Sequence, residues 1–212
     1  MKENKFMLLL MMFVAAFAMA SCSESDEDVE EFPNWKNYND ETFEKLYSST
    51  EQKIASGDAS WKIIRTWSVS EDYVAKHDDH IIVEVLSEGD PTGETPMYTD
   101  SIYMAYSGRL LPSTSFPKGY VFDKSYKGDF NPNTVFPMTT GIVEFVDGFT
   151  TAVMNMRPGD YWRVYIPSNL AYGNSMHAVI PLYSMLVFDI YLFDFFHPGQ
   201  KPRELQNLEV LK

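Results

Sequence analysis

The amino-acid sequence predicts an α+β domain in which an antiparallel β-sheet wraps over one short α-helix, preceded by a helical extension. From residue 80 onward, several short segments alternate apolar and polar residues, as strands with one buried face do. One segment among them has the apolar spacing of a helix instead. Aromatic residues make up 15% of the 212 residues, a content that suits a β-rich core.

Four segments carry the strand pattern: "IIVEVL", "SIYMAYSG", "YWRVYI" and "MLVFDIYLF". Successive side chains of a strand point to opposite faces of the sheet, so every second residue is expected on one face. By this rule Asp189 lies on the face opposite to the apolar one. The residues expected on the apolar faces are Ile102, Met104, Tyr106, Trp162, Val164, Ile166, Leu186, Phe188, Ile190 and Leu192.

The short helix is predicted in the segment "VDGFTTAVMNMRPGD", residues 146–160. Phe149, Ala152, Val153 and Met156 recur at i, i+3, i+4 and i+7, which is the spacing of one helix face. Pro158 and the glycine after it end the helix.

Residues 39–79 are predicted to form the N-terminal helical extension. The segment "NDETFEKLYSSTEQKIASGD" predicts a helix of about 16 residues that begins at an Asp40 N-cap and stops at Gly57. The segment "WKIIRTW" is compatible with a strand or with a second helix. The run "HDDH", residues 77–80, resembles a metal-binding cluster, but four adjacent residues cannot all point at one ion. We therefore favour a charged turn and predict no metal site.

Residues 1–21 have the features of a signal peptide. Two lysines precede an apolar run of about 15 residues from Phe6 to Ala20, which is short for a transmembrane helix. Two cleavage sites compete: "AMA" fits ordinary secretion, and "MASC" resembles the lipobox of bacterial lipoproteins, which leaves Cys22 first and lipidated. We favour the lipobox because the only cysteine of the chain lies where a lipobox needs it. A membrane anchor on Cys22 is therefore expected.

Residues 22–38 are predicted to form an acidic tether. The run "SESDEDVEE" has six acidic residues and no basic ones, and such a run is usually solvated and extended. It also resembles the acidic stretch that follows the lipidated cysteine in some surface-exported lipoproteins. The expected location is the bacterial cell envelope, as an outer-membrane lipoprotein facing the periplasm or exposed at the surface.

Charge and cysteine content exclude several classes of protein. A formal net charge of −13 leaves no basic surface for a nucleic-acid partner. One cysteine cannot form a disulfide within the chain. No cofactor is predicted.

Four pieces of the sequence, in order, resemble the FKBP-type peptidyl-prolyl cis/trans isomerases. They are "YSGRL", "VFDKS", the helical segment, and "IPSNLAYGN" with "VIPLYSMLVFDIYL". We assign this FKBP-like domain to residues 80–196, which leaves residues 197–212 as a C-terminal tail. The resemblance implies a twisted antiparallel sheet curled around a short helix, with an apolar pocket between them.

The resemblance also implies which residues form the pocket. Asp123 corresponds to the family's pocket carboxylate, and Tyr172 to the tyrosine of an A-Y-G loop. Phe149 takes the floor position where the family usually has tryptophan. Whether Met176 or His177 faces the pocket is left open. The remaining wall residues implied by the resemblance are Tyr106, Phe122, Phe136, Phe145, Val146, Ile180 and Phe188.

The activity implied by the resemblance is isomerisation of X-Pro bonds in proline-containing polypeptides, without metal or nucleophile. The Tyr172 hydroxyl and the Ile180 backbone N–H would hydrogen-bond the bound peptide. Asp123, tied to Tyr106, would face the rotating carbonyl.

Two alternatives stay open. The altered floor and a longer loop before Phe136 favour a binding or chaperone module that has lost catalysis. The other alternative is an interaction domain of a surface lipoprotein, in which residues 39–79 mediate assembly. A homodimer through that segment is compatible with its residues but not required by them.

Overall fold

The structure, a computed structural model of the chain, describes residues 30–200. The predicted signal peptide, the lipidation of Cys22, the first part of the tether and residues 201–212 of the tail lie outside the described residues. None of the helices within residues 30–200 combines the length and the apolar character needed to cross a membrane.

The N-terminal extension begins with helix α1, Trp35–Ala55. The predicted N-cap at Asp40 is wrong, because Asn34 is the N-cap and Asp40 lies inside the helix, 2.5 Å from the Lys36 ammonium one turn earlier. The helix starts early because its buried face continues to Trp35. The predicted stop is confirmed, since Gly57 follows the helix with a φ of 89° that favours glycine.

The second part of the extension is a strand, which settles the alternative that the sequence left open. Strand β1, Trp61–Arg65, pairs antiparallel with β2, His80–Ser87. Between them His77–Asp79 forms a short 3-10 turn, as favoured above. Within residues 30–200, no group of three or more His, Cys, Asp or Glu side chains is placed to hold a metal ion. The extension therefore adds an edge strand to the main sheet.

The predicted antiparallel sheet is confirmed, with seven strands in the described part of the chain. The strands beyond β2 are β3, Ser101–Arg109; β4, Val121–Lys124; β5, Met138–Gly141; β6, Tyr161–Ile166; and β7, Leu186–Phe196. The strand order is β1-β2-β6-β7-β3-β4, and β5 pairs with β3. In β6 every second residue is buried, as the alternation predicts, whereas β2 buries three consecutive residues at its start.

The predicted short helix is confirmed as α2, Asp147–Val153, and packs on the sheet. The predicted stop at Pro158 is wrong, because the helix already ends at Val153 and Met156 lies beyond it. All four residues of its predicted apolar set are at most 1% exposed. Gly148 allows a close approach, since a Cβ there would lie 2.2 Å from Cγ2 of Ile166 on β6. The helix is thereby held directly against the strand that leads into the loop at residues 167–173.

The outer face of the sheet buries charge rather than leaving it solvated. The Asp189 carboxylate accepts hydrogen bonds from Arg163 Nε at 2.7 Å and Arg109 Nη1 at 3.1 Å, and its side chain is only 13% exposed. Nearby, Phe130 packs its ring against Tyr161 and Tyr191, with ring centres 4.8 and 5.4 Å apart. The loop after β4 is therefore held by Phe130 on the outer face of the sheet.

Candidate active site

Aromatic rings from three elements converge between α2 and the sheet. Phe149 of α2 is 1% exposed. Its ring centre lies 5.0 Å from that of Phe188 on β7 and 5.8 Å from that of Tyr106 on β3. Phe145, just before the helix, stacks on Phe149 at 4.3 Å. The structure thus brings these four predicted residues together, with Phe149 at the centre.

Phe122 of β4 closes one side of this cluster. Its ring meets Phe188 edge-on, with ring centres 5.5 Å apart. The contact depends on Gly108 of β3, because a Cβ at that position would lie 2.5 Å from Phe188 Cε1 and 2.7 Å from Phe122 Cζ. Gly108, the glycine of the "YSG" segment, is therefore a residue of the site. No role was predicted for it from the sequence.

The predicted tie between Tyr106 and Asp123 is present. The Tyr106 hydroxyl donates to Asp123 Oδ2 at 2.5 Å, while Lys124 N–H donates to Oδ1 at 2.8 Å. Burial first, and then the hydrogen bond to Asp123, raise the pKa of Tyr106 well above its usual value. The hydroxyl therefore stays protonated and keeps its proton directed at an exposed carboxylate.

Tyr172 lies beside this pair and is held by its own loop. Its ring stacks on His177, with ring centres 4.0 Å apart and planes 5° apart. Burial, and then the negative charge of Asp123, raise the pKa of Tyr172. His177 therefore contacts the site through Tyr172, whereas Met176 is 73% exposed.

Ile180 takes its predicted place through its side chain, which is 3% exposed. Its backbone N–H, expected to bond the bound peptide, donates to the His177 carbonyl at 2.8 Å in this structure and is therefore engaged within its own loop. Val146, also partly buried against the core, is the N-cap of α2. Its N–H donates to no group within residues 30–200, as expected for the first turn of a helix.

Phe136 is not part of the cluster in this structure. Its side chain is 92% exposed. In the loop before it, the ring of Phe130 packs on the outer face of the sheet, away from the cluster. The sequence could identify an aromatic at this position but not the path of the loop that carries it.

The described site therefore consists of an aromatic floor with polar groups at its edge. Those groups are the Tyr106 and Tyr172 hydroxyls, the Asp123 carboxylate and the Val146 N–H. Such a site can bind an apolar segment and offer hydrogen bonds to its backbone.

Comparison with known proteins agrees with this arrangement. Residues 92–193 match the family described as FKBP-type peptidyl-prolyl cis-trans isomerase. The matched segment is a domain of this family. The matched segment contains every predicted pocket residue. Helix α1 and strand β1 of the extension, and also strand β2, lie outside the family match.

Relatives of this FKBP domain include two named proteins. The macrophage infectivity potentiator of Trypanosoma cruzi is 37% identical over 117 residues, 55% of this chain and 53% of the relative. The peptidyl-prolyl cis-trans isomerase Mip of Coxiella burnetii is 34% identical over 90 residues, 42% of this chain and 33% of the relative. The chain thus spans between a third and about half of the length of these relatives.

A solved structure supports the fold. The crystal structure of FkpA from Escherichia coli superposes with a TM-score of 0.51 at 21% identity, covering 91% of this chain and 72% of that chain. At this identity the likeness establishes the FKBP fold alone.

Proposed function

We propose that this chain is a peptidyl-prolyl cis/trans isomerase that assists protein folding. The observation that carries the proposal is the grouping of Tyr106, Asp123 and Tyr172 at the edge of the Phe149 floor. Proline-containing polypeptides are the proposed substrates.

The chemistry follows from the amide bond. Rotation about an X-Pro bond meets a barrier of about 18–20 kcal/mol, because the twist removes the resonance of the C–N bond. The planar amide is the more charge-separated form, so an apolar floor solvates it less well than the twisted form. Stabilising the twisted form relative to the planar form by about 1.4 kcal/mol increases the rate tenfold.

The polar groups would orient the peptide on the floor. In this proposal the Tyr172 hydroxyl and the Val146 N–H donate to backbone carbonyls of the bound peptide, the latter replacing the engaged Ile180 N–H. Asp123, with its hydrogen bond from Tyr106, faces the rotating carbonyl. None of these groups changes its covalent bonds.

A prolyl-isomerisation assay on a short X-Pro peptide tests the proposal. We expect the full chain to accelerate isomerisation, and Tyr172→Phe and Asp123→Ala to reduce kcat/KM by about tenfold each, the effect of losing about 1.4 kcal/mol. Matched controls are Tyr73→Phe and Asp72→Ala, which alter exposed residues of the loop after β1. Absence of acceleration by the wild-type chain would contradict the proposal.

A second function is favoured by the exposed apolar side chains of Phe136 and Met176, which are 92% and 73% exposed. They fit a module that holds unfolded chains without isomerising them. This function predicts that the chain suppresses aggregation of an unfolded protein while the peptide assay stays at the uncatalysed rate.

We further propose that the chain works at the bacterial cell envelope as a lipoprotein. The support is the lipobox-like "MASC" and the acidic run after it. Several acyl chains on Cys22 would hold it firmly, since each buried CH₂ contributes about 0.8 kcal/mol. Cys22→Ser should release the protein from the membrane fraction, and its continued attachment would contradict the anchor. Protease treatment of intact cells would distinguish the surface from the periplasm.

A further inference from the structure

The segment after the pocket wall residue Ile180 is fastened to helix α1. The Met185 N–H donates to Oδ1 of Asn39 at 2.8 Å. The Trp35 indole N–H donates to Ser184 Oγ at 2.8 Å, and Ser184 Oγ in turn donates to the Pro181 carbonyl at 2.7 Å. Hydrogen bonds thus run from the extension to the residue next to Ile180.

These contacts lie in the protein interior. Trp35, Asn39, Ser184 and Met185 are all at most 7% exposed. Asn39 also donates from Nδ2 to the Trp35 carbonyl at 2.7 Å, so its amide is used at both ends. A buried polar group that loses its partner costs more free energy than the intact bond contributes, so these bonds resist opening.

The fastened segment has a backbone that needs support. Ala178 and Tyr183 have φ values of 49° and 61°, in the left-handed region that non-glycine residues seldom adopt. Such conformations persist when surrounding contacts hold them. Here the Tyr183 N–H donates to the Gly173 carbonyl at 2.8 Å, and the Lys36 ammonium of α1 lies 5.3 Å from the centre of the Tyr183 ring.

We infer that Trp35 and Asn39 are positioning residues that hold the loop of residues 172–185 in the geometry the pocket requires. Through Ser184 and Met185 they position Ile180. Through the Tyr183–Gly173 hydrogen bond they also position Gly173, the residue after Tyr172. The extension, all of which lies outside the family match, thereby positions one wall of the pocket. The inference rests on the proposed isomerase function.

The first test is Trp35→Phe, which keeps a benzene ring and removes the pyrrole part of the indole together with its N–H donor. We expect kcat/KM to fall about threefold to tenfold, since small misplacements of site groups carry effects of this size or larger. Trp61→Phe is the matched control, because Trp61 lies on β1 of the same extension and stacks on Tyr165, away from this loop. Both variants are assayed at a temperature where each is folded.

A double-mutant cycle separates positioning from general stability. If the Trp35–Ser184 bond carries the effect, Trp35→Phe and Ser184→Ala combined should lower kcat/KM no more than the larger single effect. Equal activity losses in Trp35→Phe and Trp61→Phe, or additive losses in the cycle, would overturn the inference.

Amide hydrogen exchange tests the same inference without activity. In Asn39→Ala we expect faster exchange at the amides of Met185, Tyr183 and Ile180, and in the exposed control Asn37→Ala no change there. Faster exchange at Met185 alone would overturn the inference. A wild-type chain that fails to isomerise the peptide would refute the proposed function, while this exchange pattern would still decide whether α1 positions the loop.

Discussion

At the scale of single residues, Gly108 shows how tightly the aromatic floor is built. Gly108→Ala would push a methyl group into Phe188 and Phe122, at 2.5 and 2.7 Å. We expect it to displace these rings, to destabilise the protein by about 1–3 kcal/mol, and to lower isomerase activity. Chemical denaturation and the peptide assay measure the two effects.

Gly141→Ala is the matched control for Gly108, since its Cβ would meet Val143 Cγ2 at an ordinary 3.6 Å. Its backbone φ of −75° also accepts alanine. Equal effects of the two substitutions would argue against crowding of the rings as the cause.

Two phenylalanines predicted for the pocket should differ in how much stability is lost when each is replaced by alanine. Phe149→Ala removes a ring that is 1% exposed and should cost about 3–5 kcal/mol of unfolding free energy. Phe136→Ala removes a ring that is 92% exposed and should change stability by no more than about 0.5 kcal/mol. Urea unfolding of both variants measures this difference, and similar losses would show that Phe136 is packed in solution.

At the scale of elements, the N-terminal extension is built into the core of the FKBP domain. Trp35, Phe43 and Tyr47 of α1 are at most 7% exposed and belong to the same core cluster as Ile81 and Phe149. Strand β1 covers the edge of β2 by antiparallel pairing. The boundary expected between residues 79 and 80 is therefore not a boundary between independently packed parts.

Deletion of residues 1–75 should abolish cooperative unfolding. Each of the three buried aromatics of α1 contributes about 1.5–3 kcal/mol, and their sum approaches the stability of an ordinary domain, about 5–15 kcal/mol. Circular dichroism during thermal unfolding measures the outcome. The matched control lacks residues 1–29 only, and a deletion variant as stable as that control would show that the extension is dispensable.

At the scale of the whole molecule, buried tyrosines make stability depend on alkaline pH. Burial is the largest cause that raises the pKa of Tyr106, Tyr165 and Tyr172, and it raises that of Tyr161 from 10.0 to about 12. The folded state therefore binds these protons more tightly than the unfolded state. The stability they contribute is complete below pH 10 and is lost as pH rises through the folded pKa values.

We expect the unfolding free energy to fall between about pH 10 and pH 12, while folded-state tyrosinate absorbance stays below that of the unfolded chain. Tyr161→Phe should make this fall shallower. Stability that is constant over this interval in the wild-type chain would show that these hydroxyls ionise equally in both states.

The features that could be predicted from the amino-acid sequence are those that depend on residues close together in the chain. The i, i+3, i+4, i+7 spacing located α2, because the period of a helix follows from its own backbone. Alternation located β6 in the same way. The order of short motifs identified the family, and with it the pairing of Tyr106 with Asp123.

Which groups are hydrogen-bonded, buried or exposed depends mainly on contacts between residues that are far apart in the chain. The sequence could not show that the Ile180 N–H is taken by His177, that Phe136 points to solvent, or that "WKIIRTW" is a strand. Asn39 bonds Met185 across 146 positions of the chain. Periodicity indicates which face of an element is apolar, but contacts between residues so distant in sequence depend on how the elements pack. That packing determines which donors the pocket offers and where the extension lies.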